Sequence, residues 1–504
     1  MDGFKTIGVV GAGSMGSNMA QMFAEQGFNV SLYDVNDKNV DLAVKNANNA
    51  NLKGRVTGFN HHKEFTQSLK DDKRKLFVFS ITHGLPADDV LKKIRPDLGE
   101  GDIILDGGNE FYRTTERRQK ELAPMGVTWI GMGVSGGYQA ARRGPSLSPG
   151  GDKSTITEVM PLLQKFAAKE EKTRNPCVAY IGPRGAGHYV KMVHNGIETA
   201  MLSVICEAWQ LMHHSLDMTN DEIGDIFEKW NADGKMKNTF LIQIASEICK
   251  TKKTKQGDGH GEGIGDSGYV LDDVLDKVVQ DDDGSEGTCE WSVKEAADRH
   301  VASQTIAAAQ FFRVASGERA QRVRVAEALG LPRPGIITGE KKEDMLTLLH
   351  QAVYGVFLAS YCQGLELIAR ASKDEEWDVS LGTCINIWRA GCIIQEEYIA
   401  DMLEPILSGD EQIMNMKLIK EVAEDLKLSY EPIKRIVQIG VDIDAIIPAF
   451  AATLDYLKIV GCTSLPTQFM EAQMDFFGAH AYDLPSEGPG KASKGQHHYE
   501  WRPA

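Results

Sequence analysis

Phe4-Lys-Thr-Ile-Gly-Val-Val10 runs directly into Gly11-Ala12-Gly13-Ser14-Met15-Gly16. The first seven residues read as a buried strand, and the glycines open a helix pattern that continues to about Gln26. A second strand, Phe28-Asn-Val-Ser-Leu-Tyr33, ends on Asp34, 18 residues past Gly16. A lone GxGxxG is weak evidence. Here strand, glycines, helix, strand and terminal acid fall in the order of a dinucleotide-binding βαβ unit. Gly11 permits the tight turn, Gly13 lets the backbone approach a pyrophosphate, and Gly16 lets helix and strand close up. The helix start supplies free N–H groups and a positive dipole end. An acid at Asp34 accepts hydrogen bonds from the ribose of NAD and repels the 2′-phosphate of NADP. Val35, Asn36 and Asp37 follow it, with no cation before Lys38. The expected cofactor is therefore NAD rather than NADP; the plain alternative for Asp34 is a strand-end turn residue.

Strand-like runs continue at 76–81, 103–106 and 127–130 with helix-like segments between, which predicts a doubly wound, mostly parallel sheet. Ligands of such a sheet lie beyond the C-terminal strand ends. Three loops follow those ends: Thr82-His-Gly84, Gly107-Gly-Asn109 and Gly133-Val-Ser-Gly-Gly137. Each alone is ordinary turn chemistry; together they favour a cleft. Ile81, Thr82 and Asn109 join residues 11–16 and Asp34 as expected cofactor contacts.

A further strand-like run, Val178-Ala-Tyr-Ile181, leads into Gly185-Ala-Gly-His-Tyr-Val-Lys-Met-Val-His-Asn-Gly-Ile-Glu198. Read as a helix, this places Lys191, His194, Asn195 and Glu198 at i, i+3, i+4 and i+7, on one face. Val190, Val193, Ile197 and Met201 form the neighbouring apolar stripe, which anchors the helix. A solvated polar face is the bland alternative, but this face holds only one cation and one anion, seven apart. A base, an imidazole, an amide and an acid on one rigid helix suit positioned proton transfer.

Beyond this point helical patterns dominate, at 188–214, 220–230, 236–250, 291–312, 344–371, 399–406, 410–426 and 431–439. A weak echo links His194…Cys206-Glu-Ala-Trp-Gln-Leu211 to His350…Cys362-Gln-Gly-Leu-Glu-Leu367 at an offset of 156. In the second copy Thr347 and Tyr354 stand where Lys191 and Glu198 stand in the first. The loop at 257–268, with Asp258, His260, Glu262 and Asp266, is a poor metal site because nothing fixes its geometry. The reading is an α/β Rossmann-type coenzyme domain (1–184), a large all-α domain (185–460) and an irregular C-terminal tail (461–504).

The chain has 504 residues, 42% hydrophobic and 25% charged, with 71 acidic and 55 basic side chains and a net charge of −16. That balance argues against nucleic acid or an anionic membrane as partner. No run approaches the ~18 apolar residues of a membrane span, and no secretory leader is read at the N-terminus. Eight scattered cysteines without a CxxC suggest reduced structural thiols and a cytoplasmic setting. No Cys/His cluster has ligand spacing, so no metal is expected.

Those glycines, together with Asp106-Gly-Gly-Asn109, Gly133-Val-Ser-Gly-Gly137, Gly144-Pro-Ser-Leu147, Lys191-Met-Val-His-Asn-Gly-Ile-Glu198, Trp388-Arg-Ala-Gly-Cys-Ile-Ile394 and Asp475-Phe-Phe-Gly-Ala-His480, resemble the 6-phosphogluconate dehydrogenase (decarboxylating) family, within the β-hydroxyacid dehydrogenases. The resemblance spans nearly the whole chain. It implies a duplicated helical domain and a homodimer in which each tail threads into the other subunit. By resemblance Lys191 is the general base for the substrate 3-hydroxyl, and Glu198 the acid that protonates the enediol. Asn195, His194, Ser135, Gly136, Gly137, Asn109, Arg319 and His480 form the implied substrate set, with Asn109 also facing the cofactor.

The departures point elsewhere. The family's phosphate-binding Tyr, Lys and Arg are Thr199, Glu286 and Met474 here, and only Arg319 is kept. The family's Asn-Arg-Thr at the 2′-phosphate is Asp34-Val-Asn36, its nearby Lys is Thr82, and Tyr138 replaces an acid. These changes set the expectation of an NAD-preferring oxidative decarboxylase of a 3-hydroxy sugar acid without the 6-phosphate. The alternatives are a true 6-phosphogluconate dehydrogenase, with Arg142 or Arg143 reaching the phosphate, a non-catalytic NAD-binding paralogue, and a dehydrogenase without decarboxylation.

Overall fold

The structure, a computed structural model, describes residues 4–253, 268–278, 287–409, 412–487 and 495–502. Apart from Gly268, the 257–268 loop lies outside the described residues, as does the acidic stretch 281–286 that contains Glu286. Met1–Leu454 form one compact unit and Asp455–Ala504 a second.

The first half alternates β1 (Thr6–Val10), α1 (Ser14–Glu25), β2 (Asn29–Tyr33), α2 (Asp37–Asn49), β3 (Val56–Phe59), α3 (His62–Gln67), β4 (Leu76–Phe79), α4 (Leu85–Ile94), β5 (Ile103–Asp106), α5 (Tyr112–Leu122), β6 (Thr128–Val134), α6 (Gly137–Arg143), β7 (Leu147–Gly150) and α7 (Lys153–Phe166). The sheet order is β3-β2-β1-β4-β5-β6-β7, parallel except for the antiparallel β6–β7 pair. The central strands carry near-continuous apolar runs because both of their faces are covered. Ile7, Val9, Leu32, Leu76 and Leu105 pack on one side with α1 and α7; Val10, Phe77, Phe79 and Trp129 pack on the other. Each such side chain contributes about 1.5–3 kcal/mol. Gly11, Gly107 and Ser135 thus sit where rigid strands end. The 178–181 run is not a strand: Val178 makes only an isolated bridge to Leu147, and Gly182 one to Gly150.

The second half is helical: α8 (Ala186–Gln210), α9 (Asn220–Ala232), α10 (Phe240–Lys250), α11 (Thr288–Asp298), α12 (Gln304–Gly317), α13 (Arg319–Leu329), α14 (Lys342–Asp374), α15 (Leu381–Ile387), α16 (Glu397–Leu407), α17 (Lys420–Asp442) and α18 (Pro448–Val460). The pattern predicted over 291–312 is two helices, because the chain turns left-handed at His300, with φ +54°. The patterns at 410–426 and 431–439 join in α17, which runs through the buried Pro432. Helix α14 is long and apolar enough to cross a membrane by length and composition, contrary to the expectation of no such run. Its apolar window is 94% buried, against α8 and α17; it is the core helix of this half.

The echo at 156 has structural content. Ala186 and Lys342, 156 positions apart, begin α8 and α14. Glu207 on α8 accepts from the N–H groups of Ala449 and Phe450 at the start of α18. Gln363, at the matching place on α14, accepts from Thr305 and Ile306 at the start of α12. Each long helix therefore caps a helix of the other repeat, satisfying orphan donors that would otherwise be buried.

In the second unit, the stretch expected to be irregular contains α19 (Thr467–Gly478). Asp475, fully buried, accepts from the N–H groups of Ala481 and Tyr499, the Trp501 indole and His498 Nδ1, which folds residues 495–502 back on this helix. All eight cysteines are free thiols, with Cys206 and Cys462 exposed.

Candidate functional site

Helix α8 lies unusually close to the sheet because glycines line both surfaces. A Cβ on Gly187 would fall 2.3 Å from both the Gly131 and Ser148 carbonyl oxygens, and one on Gly150 2.2 Å from Gly187 N. One on Gly133 would fall 2.4 Å from Lys191 Cβ. The contact seats Lys191 directly over the end of β6. Two further bonds fix the helix against β5 and α5: His188 Nε2 meets the Asp106 carbonyl at 3.0 Å, and His188 Nδ1 meets Thr115 Oγ1 at 2.6 Å.

The predicted row on α8 is in mutual contact. Lys191 Nζ donates to Asn195 Oδ1 at 2.7 Å, and the lysine is only 7% exposed. His194 Nδ1 lies 3.0 Å from the same oxygen and 3.6 Å from Glu198 Oε2. Two acceptors at Nδ1 assign the proton to that nitrogen, and Nε2 is then a buried lone pair without a partner among the described residues. Burial, helped by Lys191, holds His194 well below the usual imidazole range, so it is neutral. Asn195 Nδ2 donates to Thr288 Oγ1 at 2.9 Å, so the first residue of α11 orients the amide. Thr288 was not singled out in the sequence, although it stands two residues after Glu286.

The cofactor end fits a dinucleotide. Gly11 has φ +101°, and a Cβ there would meet the Ser80 carbonyl at 2.2 Å; one on Gly16 would meet the Gly11 carbonyl at 2.0 Å. Beyond its chain neighbours, a Cβ on Gly13 would meet nothing within 4 Å among the described residues. The turn is thus closed at Gly11 and Gly16 and open at Gly13, before the free N–H groups of Ser14, Met15 and Gly16. Asp34 also holds this turn together: Oδ2 accepts from Ala12 N at 2.7 Å and Oδ1 from Asn36 N at 2.8 Å. Ile81 bridges two loops. Its side chain lines Gly11 and its carbonyl lines Gly108, while Thr82 is exposed and Asn109 half-buried.

Sequence reasoning missed Arg118, which is fully buried beneath these loops. It donates to Glu110 at 2.8 Å, Asp88 at 2.8 Å, the Gly84 carbonyl at 3.0 Å and Asp106 at 3.4 Å. Glu110 in turn accepts from Gly84 N at 2.9 Å, so one guanidinium ties the loop after β4 to the loop after β5. Burial keeps the Asp106 carboxyl above its ordinary range despite this neighbour. A signal was present: Tyr112, Thr115, Arg118 and Leu122 share the buried stripe of α5.

Ser135 is buried, its N–H donating to the Ser146 carbonyl. Gly136 has φ +95° and faces the Gly391 carbonyl, so the 388–394 segment backs this loop, whereas Gly137 is exposed. One expected substrate residue is not drawn to the α8 face. Arg319 sits half-buried at the start of α13, its Nε bonded to Asp276 Oδ1 at 2.6 Å, and His480 belongs to the second unit. Arg142 is likewise engaged, by Glu25 of α1. Among the described residues no three His, Cys, Asp or Glu side chains group as a metal site.

A dinucleotide-shaped turn on a doubly wound sheet, together with a lysine row on the first helix of an all-helical half, defines a nicotinamide-dependent dehydrogenase of the hydroxyacid class. Residues 6–182 match the NAD binding domain of 6-phosphogluconate dehydrogenase, and residues 187–501 its C-terminal domain. The chain is 58% identical to "6-phosphogluconate dehydrogenase, decarboxylating" of Emericella nidulans, over 97% of this chain and 100% of that one. It is 35% identical to the protein of that name from Lactococcus lactis, over 98% of each. A solved structure of Plasmodium falciparum 6-phosphogluconate dehydrogenase, described in apo form, with its cofactor NADP+ and with its substrate 6-phosphogluconate, superposes with TM-score 0.84 at 31% identity, covering 98% of this chain and 100% of that one. The chain belongs to the 6-phosphogluconate dehydrogenase family. It is an NAD(P)-dependent, decarboxylating oxidoreductase acting on a CH–OH group.

Proposed function

We propose that the chain oxidises 6-phosphogluconate at C3 and releases C1 as CO2, giving ribulose 5-phosphate. The observation that carries the chemistry is the contact row Lys191–Asn195–His194–Glu198 on α8. As the free amine, Lys191 takes the 3-hydroxyl proton. A nicotinamide bound at the Gly11–Gly16 turn would supply the acceptor for the C3 hydride. Lys191, now the ammonium, stabilises charge on the C3 oxygen while the C1–C2 bond breaks and CO2 departs. Glu198 then delivers a proton to the enediol carbon. Neutral His194 and the Thr288-oriented Asn195 hold the lysine and the substrate in register.

This replaces the expectation of an unphosphorylated sugar acid. The names carried by relatives across the whole chain, including one at 58% identity, support the phosphorylated substrate. That expectation treats three substitutions as if all faced one anion. Thr199 does not: it is buried, and its hydroxyl donates to the Asn195 carbonyl of its own helix at 2.9 Å. Steady-state rates with 6-phosphogluconate and with gluconate, with CO2 measured in parallel, test the proposal. The expected result is a preference for the phosphorylated acid of at least about 100-fold in kcat/KM, the scale of one or two charge-assisted phosphate contacts. Equal use of gluconate would end it.

On the dinucleotide, the NADP+ of the Plasmodium relative weighs for NADP, while Asp34 followed by the exposed Val35 weighs for NAD. Asp34→Asn separates the carboxylate's charge from its role in the turn. Removing one charge near a 2′-phosphate is worth up to ~4 kcal/mol before screening, so the NADP/NAD ratio of kcat/KM should rise about 10- to 100-fold. An unchanged ratio would leave Asp34 as a turn residue only.

A further inference from the structure

Outside the reacting row, one guanidinium gathers four elements. Arg299, buried just beyond the end of α11, donates from Nε to Glu295 Oε2 at 2.8 Å and from Nη1 to Asp374 Oδ2 at 3.2 Å. Its Nη2 donates to Glu375 Oε1 at 2.8 Å and to Tyr112 Oη at 3.1 Å. Its plane lies over the Tyr189 ring, 5.4 Å from the centroid. These partners come from α11 itself, the end of α14, α5 and α8.

Two of those elements, α8 and α11, carry a group of the site, and α5 follows closely on a third. Tyr112 stands three residues after Asn109, and Tyr189 two residues before Lys191. Helix α11 begins at Thr288, the acceptor for Asn195 Nδ2. This helix is a short rod, about 16 Å long at 1.5 Å per residue. It is pinned on α8 at one end by Thr288 and by Ser292 Oγ, which donates to the Met192 carbonyl at 2.8 Å. At the other end the Arg299 fork pins it to α5 and α14. A lysine cannot reproduce that fork, because a single ammonium has three donors and no plane to lay on Tyr189.

We propose that Arg299 is a positioning residue for the decarboxylating dehydrogenation: by locking α11 to α5, α8 and α14 it keeps Thr288 on Asn195, and so keeps Asn195 Oδ1 against the Lys191 amine. The proposal rests on the reading of Lys191 as the base. Releasing the far end of α11 lets its first turn drift, and a displacement of about 1 Å at a reacting group costs up to 10²-fold in rate.

The test uses the full chain carrying Arg299→Lys, Tyr112→Phe and Thr288→Val, singly and in pairs. Melting temperature, cofactor Kd by fluorescence titration, and kcat and KM for 6-phosphogluconate are measured. Arg299→Lys should stay folded, bind cofactor within about twofold of wild type, and lose about tenfold in kcat with little change in KM. Tyr112→Phe, which removes one bond of the fork and leaves no charge unpaired, should lose kcat in the same direction. In the Thr288→Val background neither change should lower kcat further, because the pathway through Thr288 is already cut. Wild-type kcat in folded Arg299→Lys, or a full repeat of its loss on top of Thr288→Val, would overturn the proposal. If Arg299→Lys fails to fold, the Tyr112→Phe and Thr288→Val cycle decides by the same criterion. Wild-type protein inactive on 6-phosphogluconate would overturn the functional reading itself, before any variant is compared.

Discussion

Lys191→Met should lower kcat for 6-phosphogluconate by roughly 10⁴-fold, at the upper end for a positioned proton-transfer group, and leave cofactor Kd within about threefold. One side chain is asked to serve twice, as the base for the hydroxyl and as the cation beside the developing enolate. Substrate and cofactor binding cannot compensate for either. Methionine suits the test because it keeps the unbranched stem that packs over Gly133 and removes only the amine. Asn195 keeps its bond to Thr288 and its contact with His194, so the rest of the row stays in place. A side effect is also expected. Burial is the larger cause of the low His194 pKa and Lys191 the second; removing the lysine should move the imidazole upward, which a histidine NMR titration reads. Turnover within tenfold of wild type would remove Lys191 from the proton-transfer role and with it the mechanism.

The parts legible in the sequence were those governed by local periodicity. Strands β4 and β5 are buried on both faces, and their apolar runs showed it. The α8 row followed from the helical repeat alone. The edge strands β3 and β7 escaped notice because four residues containing Gly or Pro carry no pattern. The buried positions of Arg118 and Arg299 depend on partners far along the chain. Arg299 meets Tyr112 across 187 residues, a contact no local window contains. The expectation of an unphosphorylated substrate is open to the same difficulty. A substitution read in a string has no direction, and Thr199 points its hydroxyl back along its own helix. Positions such as Gly133 lay between these extremes: their glycine was visible and its neighbour was not.

Gly133→Ala should cut kcat about 100-fold with cofactor affinity nearly unchanged. Its backbone φ is not in the left-handed region, so the effect comes from space alone. The added methyl would sit 2.3 Å from Ser148 Oγ, 2.4 Å from Lys191 Cβ and 2.9 Å from Lys191 Cγ. The serine hydroxyl can turn only by giving up its bond to the Gly187 carbonyl; the lysine Cβ cannot turn at all, because it is fixed to the α8 backbone. The helix is held in turn by Gly187, itself wedged between the Gly131 and Ser148 carbonyls. Restoring ordinary contact therefore requires Lys191 to retreat by about 1 Å, a displacement that costs on the order of 10²-fold when it falls on a reacting group. Overfilling this contact should also cost about 1–3 kcal/mol of stability. Gly13→Ala is the counterpart. Beyond its chain neighbours, its methyl meets nothing within 4 Å among the described residues, so the melting temperature should hold while the cofactor KM rises, since the methyl occupies the space a pyrophosphate needs. The pair dissociates cleanly: one glycine spaces the base from the sheet, and the other spaces the cofactor from the turn. Wild-type kcat in a folded Gly133→Ala enzyme would mean that the seat of Lys191 on β6 has no part in catalysis.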